Sequence, residues 1–274
     1  MGDTMTTPDF AAITARQRGV WARGDYAVVG TRITLISERL VDAADVRSGS
    51  RVLDVAGGSG TTALAAARCG ADVVSLDYVT ALQEAGRRRA AAEALPIDFV
   101  EGDAQSMPFA DASFDAVVSA VGVMFAPDQE AAASEMLRVC RPGGTIAMAN
   151  WTPEGFIGGL FRTVAAYAPP PAGLTPPPLW GTEERVRELI GGGVRDLEVR
   201  RRDFTFRFDS PEHFTAFFRE HYGPTLVAFA GLDEEGRTAL ADDLTALARR
   251  FDRIGGDGPV AIPAEYLEVV ATRS

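Results

Sequence analysis

The sequence predicts an α/β fold in which helices flank a mostly parallel sheet. Two observations support this prediction. The run Arg51-Val-Leu-Asp-Val-Ala-Gly-Gly-Ser-Gly60 passes from an apolar strand into a small-residue turn, and an alanine-rich helical segment, Thr61 to Arg68, follows at once. Strands and helices then alternate along the chain, as in α/β proteins. The 274 residues, 46% of them hydrophobic, are enough for one large domain with a full core.

The composition excludes several classes of function. The formal net charge of −11 and the pI near 4.8 argue against a nucleic-acid partner, because phosphate binding needs a basic surface. The clusters Arg87–Arg89 and Arg200–Arg202 are most simply the solvated faces of a helix and a strand. The chain has no lysine, so mechanisms that use an amine nucleophile are excluded.

Cysteine and histidine are too sparse to form a disulfide framework or a zinc site. Cys69 and Cys140 lie far apart in the sequence, and His213 and His221 are the only histidines, so we expect no metal. The sequence has no apolar run of about 18 residues and no basic, then apolar, start. We therefore expect a soluble cytoplasmic protein without a membrane partner.

Two helices, over residues 10–22 and 26–44, are predicted ahead of the first strand. Most nucleotide-binding folds begin with that strand, so these helices are expected to form an added cap. Trp21 and Tyr26 flank the flexible Gly24 between the two helices. Their rings either anchor the helices to the core or reach a ligand.

The glycine turn after the first strand is the centre of the predicted site. A ligand resting on the start of the next helix must lie against bare backbone, and a side chain at Gly58 or Gly60 would hold it away. The spacing Gly58-x-Gly60-x-x-Ala63 also fits a dinucleotide fingerprint, so an NAD-dependent oxidoreductase is an alternative here. Asp54 favours a cationic ligand, because its carboxylate could meet an amino group but would repel a pyrophosphate.

Two further acids end the next two predicted strands. The second strand, 71–77, ends at Asp77, about where an acid accepts hydrogen bonds from ribose hydroxyls in such sheets. A helix over 81–94 leads to the third strand, 96–103, which ends at Asp103. A nicotinamide enzyme has no need for an acid at the end of the third strand, so Asp103 counts against the dinucleotide alternative.

The fourth strand, 114–120, runs into an apolar loop over 121–128, at the end of the sheet where open α/β folds bind ligands. A helix over 129–139 then leads through the turn Arg141-Pro-Gly-Gly144 to a fifth strand, 145–150. Proline stops the helix, and the paired glycines allow the sharp turn.

Together these segments resemble the class I S-adenosylmethionine (SAM)-dependent methyltransferases. Asp54-Val-Ala-Gly-Gly-Ser-Gly60 resembles their motif I, usually Asp/Glu-x-Gly-x-Gly-x-Gly, with Ala56 at the first glycine position. Gly102-Asp103-Ala104 resembles the family motif that contacts adenine. Three more segments resemble the methyltransferase type 11 subgroup, which includes the ubiquinone and menaquinone C-methyltransferases: Arg141–Gly144, Pro108-Phe109 and Ser113-Phe-Asp115. The resemblance is strong over residues 50–151 and only architectural beyond them.

The resemblance implies a Rossmann-like, seven-stranded, mostly parallel sheet with an antiparallel last strand. It also implies SAM as the cofactor and S-adenosyl-L-homocysteine as the product, with Asp77 on the ribose, Asp103 on the adenine amine and Tyr26 near the cofactor carboxylate. The expected cofactor-binding residues are Asp54, Ala56, Gly57, Gly58, Gly60, Asp77, Tyr78, Asp103, Ala104, Gln105, Ser119 and Tyr26. The expected substrate-binding residues are Val123, Met124, Phe125, Phe218 and Tyr222.

The rest of the chain is predicted to complete the sheet and to cap the substrate side. Helices are expected over 154–168, 182–190, 211–222, 224–230 and 234–254, strands over 194–208 and 266–271, and a stiff proline-rich connector over 168–178. The cap presents an apolar face of Phe214, Phe217, Phe218, Tyr222 and Phe229, most of which should be core and which could also serve a homodimer interface. The expected organisation is an N-terminal cap (1–46), a SAM-binding core (47–152) and the remaining sheet with the substrate cap (153–274), within one integrated domain.

Methyl transfer from a sulfonium is an in-line displacement, so the protein mainly has to align the reactants and exclude water. A base is needed only if the acceptor must lose a proton, and His221, His213 and Glu220 are the candidates in the cap. His221 is preferred because it ends a helix near the expected site, and the alternative is a histidine at the surface or at a helix end.

Three hypotheses follow from the sequence. The first is a SAM-dependent methyltransferase that acts at O, N or C of a small, partly apolar molecule. The second is a dinucleotide-binding oxidoreductase, which Asp54, Asp103 and the turn at 141–144 oppose. The third is a protein of the same fold that binds SAM without transferring its methyl group, as a sensor, cyclase or decarboxylase.

Overall fold

The computed structural model describes residues 8–256 and 258–274. Residues 1–7 lie outside the described residues. The expectation that the start of the chain carries no signal pattern falls mostly on these residues. The helices are α1 (Phe10–Trp21), α2 (Tyr26–Arg32), α3 (Thr34–Ala43), α4 (Thr61–Arg68), α5 (Thr80–Ala92), α6 (Gln129–Val139), α7 (Phe156–Tyr167), α8 (Glu183–Ile190), α9 (Pro211–His221), α10 (Gly223–Gly231) and α11 (Glu234–Phe251). The strands are β1 (Arg51–Val55), β2 (Asp72–Asp77), β3 (Ile97–Glu101), β4 (Phe114–Ala120), β5 (Cys140–Trp151), β6 (Val194–Phe208) and β7 (Val260–Arg273).

One sheet of seven strands organises the described chain, in the order β3-β2-β1-β4-β5-β7-β6. The first five strands pair in parallel, and β7 pairs antiparallel with both β5 and β6. Strand β7 is therefore the antiparallel one, and β6 runs in the direction of the first five. The prediction of a Rossmann-like sheet with an antiparallel last strand is confirmed. Strand order reverses beside β1, where open α/β sheets bind their ligands.

The helix predicted over 26–44 is divided into α2 and α3 at Ile33, which has non-helical backbone angles of φ −111° and ψ 14°. Two threonine hydroxyls near the break bond to backbone carbonyls, from Thr31 Oγ1 to Val28 O at 2.7 Å and from Thr34 Oγ1 to Gly30 O at 3.2 Å. Such side-chain bonds compete with helix propagation. The break lets α2 contact α5 and α9 while α3 packs against α4, β4 and β5.

Strand β7 is longer than the predicted 266–271, because it pairs along the whole of β6, from Arg273 opposite Val194 to Val260 opposite Phe208. Its pairing with β5 begins only at Tyr266. The segment before Tyr266 therefore has a single neighbouring strand, which tolerates Pro263.

The turn expected at 141–144 lies within β5 as an interruption of its pairing. The register with β4 moves from Phe114 opposite Cys140 to Ala116 opposite Thr145. Gly143 has a φ of +74°, which an L-residue with a side chain rarely adopts.

Among the described helices, none combines the length and the apolar character that a membrane span requires.

Candidate active site

A single cavity lies at the carboxyl ends of β1, β2 and β4, beneath side chains of the N-terminal helices and of α7, β6 and α9. Its described lining includes the glycine turn, two carboxylates and a large group of aromatic rings: Trp21, Tyr26, Tyr78, Phe125, Trp151, Phe161, Phe206, Phe217, Phe218 and Tyr222. The cavity thus has a polar end formed by the sheet and an aromatic end formed by the N-terminal helices together with later elements.

The glycine turn is held against β2 by backbone bonds. Gly57 N donates to Leu76 O at 3.0 Å, and Gly58 N donates to the Asp77 carboxylate at 2.9 Å. Gly58 has a φ of +55°, and a Cβ there would meet nothing nearer than Leu82 at 3.9 Å, so it would stand in the cavity. Gly58 therefore presents bare backbone to the cavity, whereas a Cβ on Gly57 would clash with Ser75 Oγ and lie 2.6 Å from Asp54 Oδ2, so Gly57 is required by packing behind the wall.

Gly60 differs from the expectation, because it does not face the ligand side. A Cβ at Gly60, whose φ is +75°, would lie 3.0 Å from the Phe99 ring. Gly60 begins α4 and is required by its left-handed backbone and by the packing of Phe99. Ala56, at the first glycine position of the motif, also has a positive φ of 52° and lines the cavity. It adopts the backbone that the usual glycine would adopt.

Asp54 lies behind the turn and not on the cavity wall. Its Oδ2 accepts a hydrogen bond from Ala63 N, at the start of α4, at 2.9 Å, and its Oδ1 has no partner among the described residues. Burial raises the pKa of this carboxyl to about 8, and the nearby charge of Asp77 adds to the shift. The expected contact with a ligand amino group is not what the geometry shows. Asp54 instead ties β1 to α4.

Asp77 lies on the wall at the end of β2. Its Oδ2 accepts from Gly58 N at 2.9 Å and its Oδ1 accepts from Val79 N at 2.8 Å. Each carboxylate oxygen keeps a lone pair for a further donor. Burial raises the pKa of Asp77, while the two backbone bonds oppose the rise. Tyr78, the next residue, also lines the cavity.

Asp103 lines the same end of the cavity, beside Ala104, but Gln105 does not. Gln105 Nε2 donates to both oxygens of Asp103 at 3.0 Å and to Thr14 Oγ1 of α1 at 3.0 Å. Its Oε1 accepts from Asp128 N at 2.8 Å. Gln105 therefore orients the Asp103 carboxylate and links it to α1, which is a positioning role different from the direct contact expected.

The loop after β4 carries both lining and supporting residues. Val123 and Phe125 line the cavity, whereas Met124 is fully buried in the core. Ser119 is also fully buried, and its hydroxyl donates to Val55 O at 2.8 Å and accepts from Val123 N at 3.0 Å. Ser119 and Met124 thus support the wall from behind and do not form it.

The N-terminal helices are fastened to both ends of the cavity. Ser59 Oγ of the glycine turn donates to Tyr26 O at 2.8 Å, and the Tyr26 hydroxyl accepts from Gly223 N at 3.3 Å. Burial raises the pKa of the Tyr26 hydroxyl well above its usual range, and the neighbouring Tyr222 raises it further. Trp21 packs against Phe125 with ring centroids 4.6 Å apart. The rings of Trp21 and Tyr26 therefore both anchor the helices and line the cavity.

His221 lies outside the cavity, and the described lining residues include no histidine. Its ring packs on Phe217 at 5.0 Å between centroids, and its Nε2 is 3.9 Å from Glu220 Oε2. His213 pairs with Asp209 at 3.1 Å on the surface. The geometry therefore gives no support to a general base at His221, although Phe218 and Tyr222 on the same segment do line the cavity.

Sequence reasoning missed several lining residues. Helix α7 contributes Ile157, Leu160 and Phe161, and its apolar face was the available sign. Helix α2 contributes Arg32, for which the sequence offers no sign beyond a basic residue at a helix end.

Comparison with known proteins agrees with this architecture. Residues 53–148 match a family model described as a methyltransferase domain. An uncharacterized protein of Mycobacterium tuberculosis (strain ATCC 25618 / H37Rv) is 42% identical over 255 residues, covering 90% of this chain and 93% of that protein. The demethylmenaquinone methyltransferase of Renibacterium salmoninarum is 44% identical over 125 residues, covering 46% of this chain and 50% of that protein.

Among solved structures, Haemonchus contortus phosphoethanolamine N-methyltransferase 2, in complex with phosphomonomethylethanolamine and S-adenosylhomocysteine, matches with a TM-score of 0.58 at 18% identity. The match covers 100% of this chain and 61% of that chain. At this identity the likeness shows the fold alone. Fold, motifs and sequence relatives together establish that this chain belongs to the class I SAM-dependent methyltransferases, within the group that carries this methyltransferase domain.

Proposed function

We propose that the protein transfers a methyl group from SAM to O, N or C of a small, partly apolar acceptor. One observation carries the proposal: a single cavity joins the glycine turn, Asp77 and Asp103 at one end to a wall of aromatic rings at the other. A polar end for the cofactor and an apolar end for the acceptor are what alignment of a methyl donor with a partly apolar nucleophile requires.

The residues at the polar end fit SAM. The backbone at Gly58 leaves space for close approach, because a Cβ there would meet nothing nearer than Leu82 at 3.9 Å. Asp77 would accept from the ribose hydroxyls and Asp103 from the adenine amine, with Ala104 leaving room for the ring. When bound, SAM supplies a methyl group that its sulfonium activates. Carboxylates and aromatic faces both suit a cationic ligand.

At the aromatic end, the side chains exclude water and orient the acceptor rather than move protons. Burial raises the pKa of the Tyr222 hydroxyl, and burial likewise raises that of Tyr26. Both hydroxyls therefore stay protonated at neutral pH and can donate a hydrogen bond but not act as bases. Tyr222 and Phe218 would contact the acceptor, together with Val123 and Phe125 of the loop after β4.

Isothermal titration with S-adenosylhomocysteine tests the cofactor site, with NADH and NADPH as parallel ligands. We expect wild-type binding, and at least about tenfold weaker binding in Asp77→Asn and Asp103→Asn, because each loses an acceptor for a ligand donor. Asp72→Asn is the matched control, since this exposed acid begins the same strand that Asp77 ends. Circular dichroism of each variant verifies the fold. Binding of NADH without S-adenosylhomocysteine would overturn the proposal.

A second candidate function uses SAM without transferring its methyl group, as a cyclase, decarboxylase or sensor does. The observation in its favour is that the described lining residues include no histidine and that the two carboxylates, Asp77 and Asp103, lie at the polar end, which leaves the aromatic end without an evident proton acceptor. Incubation with SAM and a panel of apolar acceptors separates the two. Formation of S-adenosylhomocysteine in step with a methylated product supports methyl transfer, whereas product formation without S-adenosylhomocysteine supports the second candidate.

A further inference from the structure

Arg32 is the last residue of α2, and its side chain lines the cavity. The guanidinium carbon lies 4.9 Å from the centre of the Phe217 ring and 5.3 Å from that of Phe208. Among the described residues, no carboxylate oxygen lies within 4.0 Å of it, in contrast to Arg68 and Arg138, which each pair with two acids. Arg32 is solvent-exposed as well as lining the cavity, and it brings there a positive charge with which no acid of the described chain forms an ion pair.

A purely structural role explains only part of this arrangement. A cation in the last turn of a helix interacts favourably with the helix dipole, and a guanidinium over aromatic faces gains further stabilisation. Neither role requires the side chain to line a cavity. The rings of Phe208 and Phe217 also hold the guanidinium, which leaves its edge N–H groups to form a fork for an anion.

Arg32 belongs to the acceptor end of the cavity. Three residues of the described lining carry charged side chains: Asp77 and Asp103 are acids, and Arg32 is a base. Gly30 of the same helix faces the glycine turn, because a Cβ there would lie 2.7 Å from Thr61 Oγ1. Two residues advance a helix by about 200°. Arg32 therefore points away from the turn and toward the rings of β6 and α9.

We propose that Arg32 binds an anionic group on the acceptor, a carboxylate, sulfonate or phosphate, while the rings of Phe217 and Phe218 contact an apolar body. The substrate class is then an apolar acid, recognised at its charge by Arg32. This inference rests on the proposed function, since it takes the aromatic end to be the acceptor site.

Two fluorescent probes test it, because they share one apolar body and differ in charge. The anionic probe is 8-anilinonaphthalene-1-sulfonate, and the neutral one is N-phenyl-1-naphthylamine. Each is titrated with S-adenosylhomocysteine present into wild type, Arg32→Gln, Arg32→Lys and Arg219→Gln. Arg219 is the matched control, because its guanidinium lies 4.8 Å from the Phe229 ring but it does not line the cavity.

We expect Arg32→Gln to weaken binding of the sulfonate probe about tenfold and to leave the neutral probe within about twofold, since only the charge-assisted bond is lost. Arg32→Lys should keep part of the preference, and Arg219→Gln should match wild type. Equal losses for both probes in Arg32→Gln, or an equal loss of sulfonate binding in Arg219→Gln, would overturn the inference.

Calorimetry on the same proteins separates this inference from the proposed function. If wild type does not bind S-adenosylhomocysteine, the proposed function fails whatever the probes show. If Arg32→Gln weakens S-adenosylhomocysteine itself about tenfold, Arg32 binds the cofactor carboxylate and the acceptor inference is overturned while the methyltransferase proposal stands. Unchanged S-adenosylhomocysteine affinity with lost preference for the sulfonate supports both.

Discussion

At the residue scale, buried acids under the glycine turn link the site to the stability of the fold. Asp54 is 1% exposed, and Asp77 is 8% exposed. Burial raises the pKa of both carboxyls, that of Asp54 to about 8. At neutral pH the Asp54 carboxyl is therefore largely protonated, which lowers the cost of leaving its Oδ1 without a partner among the described residues.

The raised pKa of Asp54 predicts that the free energy of unfolding falls as pH rises. In the unfolded chain the Asp54 carboxyl titrates at about pH 4. Between about pH 4 and about pH 8 the folded state therefore holds a proton that the unfolded state has lost. Stability is then lost across that window and is constant above it. Asp54→Asn keeps an acceptor for Ala63 N without the charge. We expect the variant to be more stable than wild type at about pH 8 by on the order of 1–3 kcal/mol.

Urea unfolding of wild type and Asp54→Asn at several values between about pH 5 and about pH 8 measures this effect. The exposed Asp72→Asn should keep the wild-type slope. In Asp54→Asn the fall in stability with pH should be shallower than in wild type but should not vanish, because Asp77, whose pKa is also raised, still titrates. Identical pH dependence in wild type and Asp54→Asn would show that Asp54 is ionised in the fold.

At the element scale, the N-terminal helices close the cavity through the turn between α1 and α2. Asp25 N in that turn donates to His221 O at 2.9 Å, and Ser59 Oγ donates to Tyr26 O at 2.8 Å. Gly24 is needed there, because a Cβ would lie 2.8 Å from Gly223 N. The turn between α1 and α2 is thus fixed between two other segments, the glycine turn after β1 and the start of α10.

Because this turn covers the proposed cofactor site, S-adenosylhomocysteine should protect it from trypsin. Arg23 is exposed in the turn, and cleavage there should slow at least about threefold with ligand at saturation. Cleavage at Arg253, in the exposed segment before β7, is the internal control. Mass spectrometry of the fragments gives both rates.

Two glycine variants sharpen this measurement. Gly24→Ala should speed cleavage at Arg23 and weaken the protection, because the new methyl group pushes the turn away from Gly223. Gly19→Ala, in the preceding helix, meets nothing within 4 Å and should behave as wild type. Equal protection of Arg23 and Arg253 by the ligand would contradict closure by these helices.

The sequence predicted those features of the fold and the site that depend on residues close together in the chain. Strand, glycine turn and helix are adjacent in the chain, so β1, α4 and the wall positions of Gly58 and Asp77 followed from it. The direction in which an individual side chain points did not, as Asp54 and Gly60 show. Arg32 reaches the cavity only through tertiary packing, for which a single sequence holds no sign, and the apolar face of α7 marks Phe161 as buried without showing that it faces the cavity.

At the scale of the whole molecule, the cavity walls come from all three expected segments of the chain. Ser37 Oγ of α3 lies 3.0 Å from Thr62 Oγ1 of α4, and the Tyr26 hydroxyl accepts from Gly223 N at 3.3 Å. These contacts join the N-terminal helices to the central sheet and to the late helices. A shared core across the segments favours a single cooperative unit over separate caps.

This organisation predicts one thermal transition for the whole chain. Trp21 in α1, Trp151 in β5 and Trp180 before α8 report on different segments by fluorescence, and far-ultraviolet circular dichroism reports on the backbone. Their midpoints should coincide, because no segment can keep its buried face without the others. Saturating S-adenosylhomocysteine, at about 100 times its dissociation constant, should add about 2.7 kcal/mol and raise the common midpoint by about 5–10 °C. Two transitions, of which the ligand shifts only one, would instead show that the caps unfold independently of the cofactor-binding core.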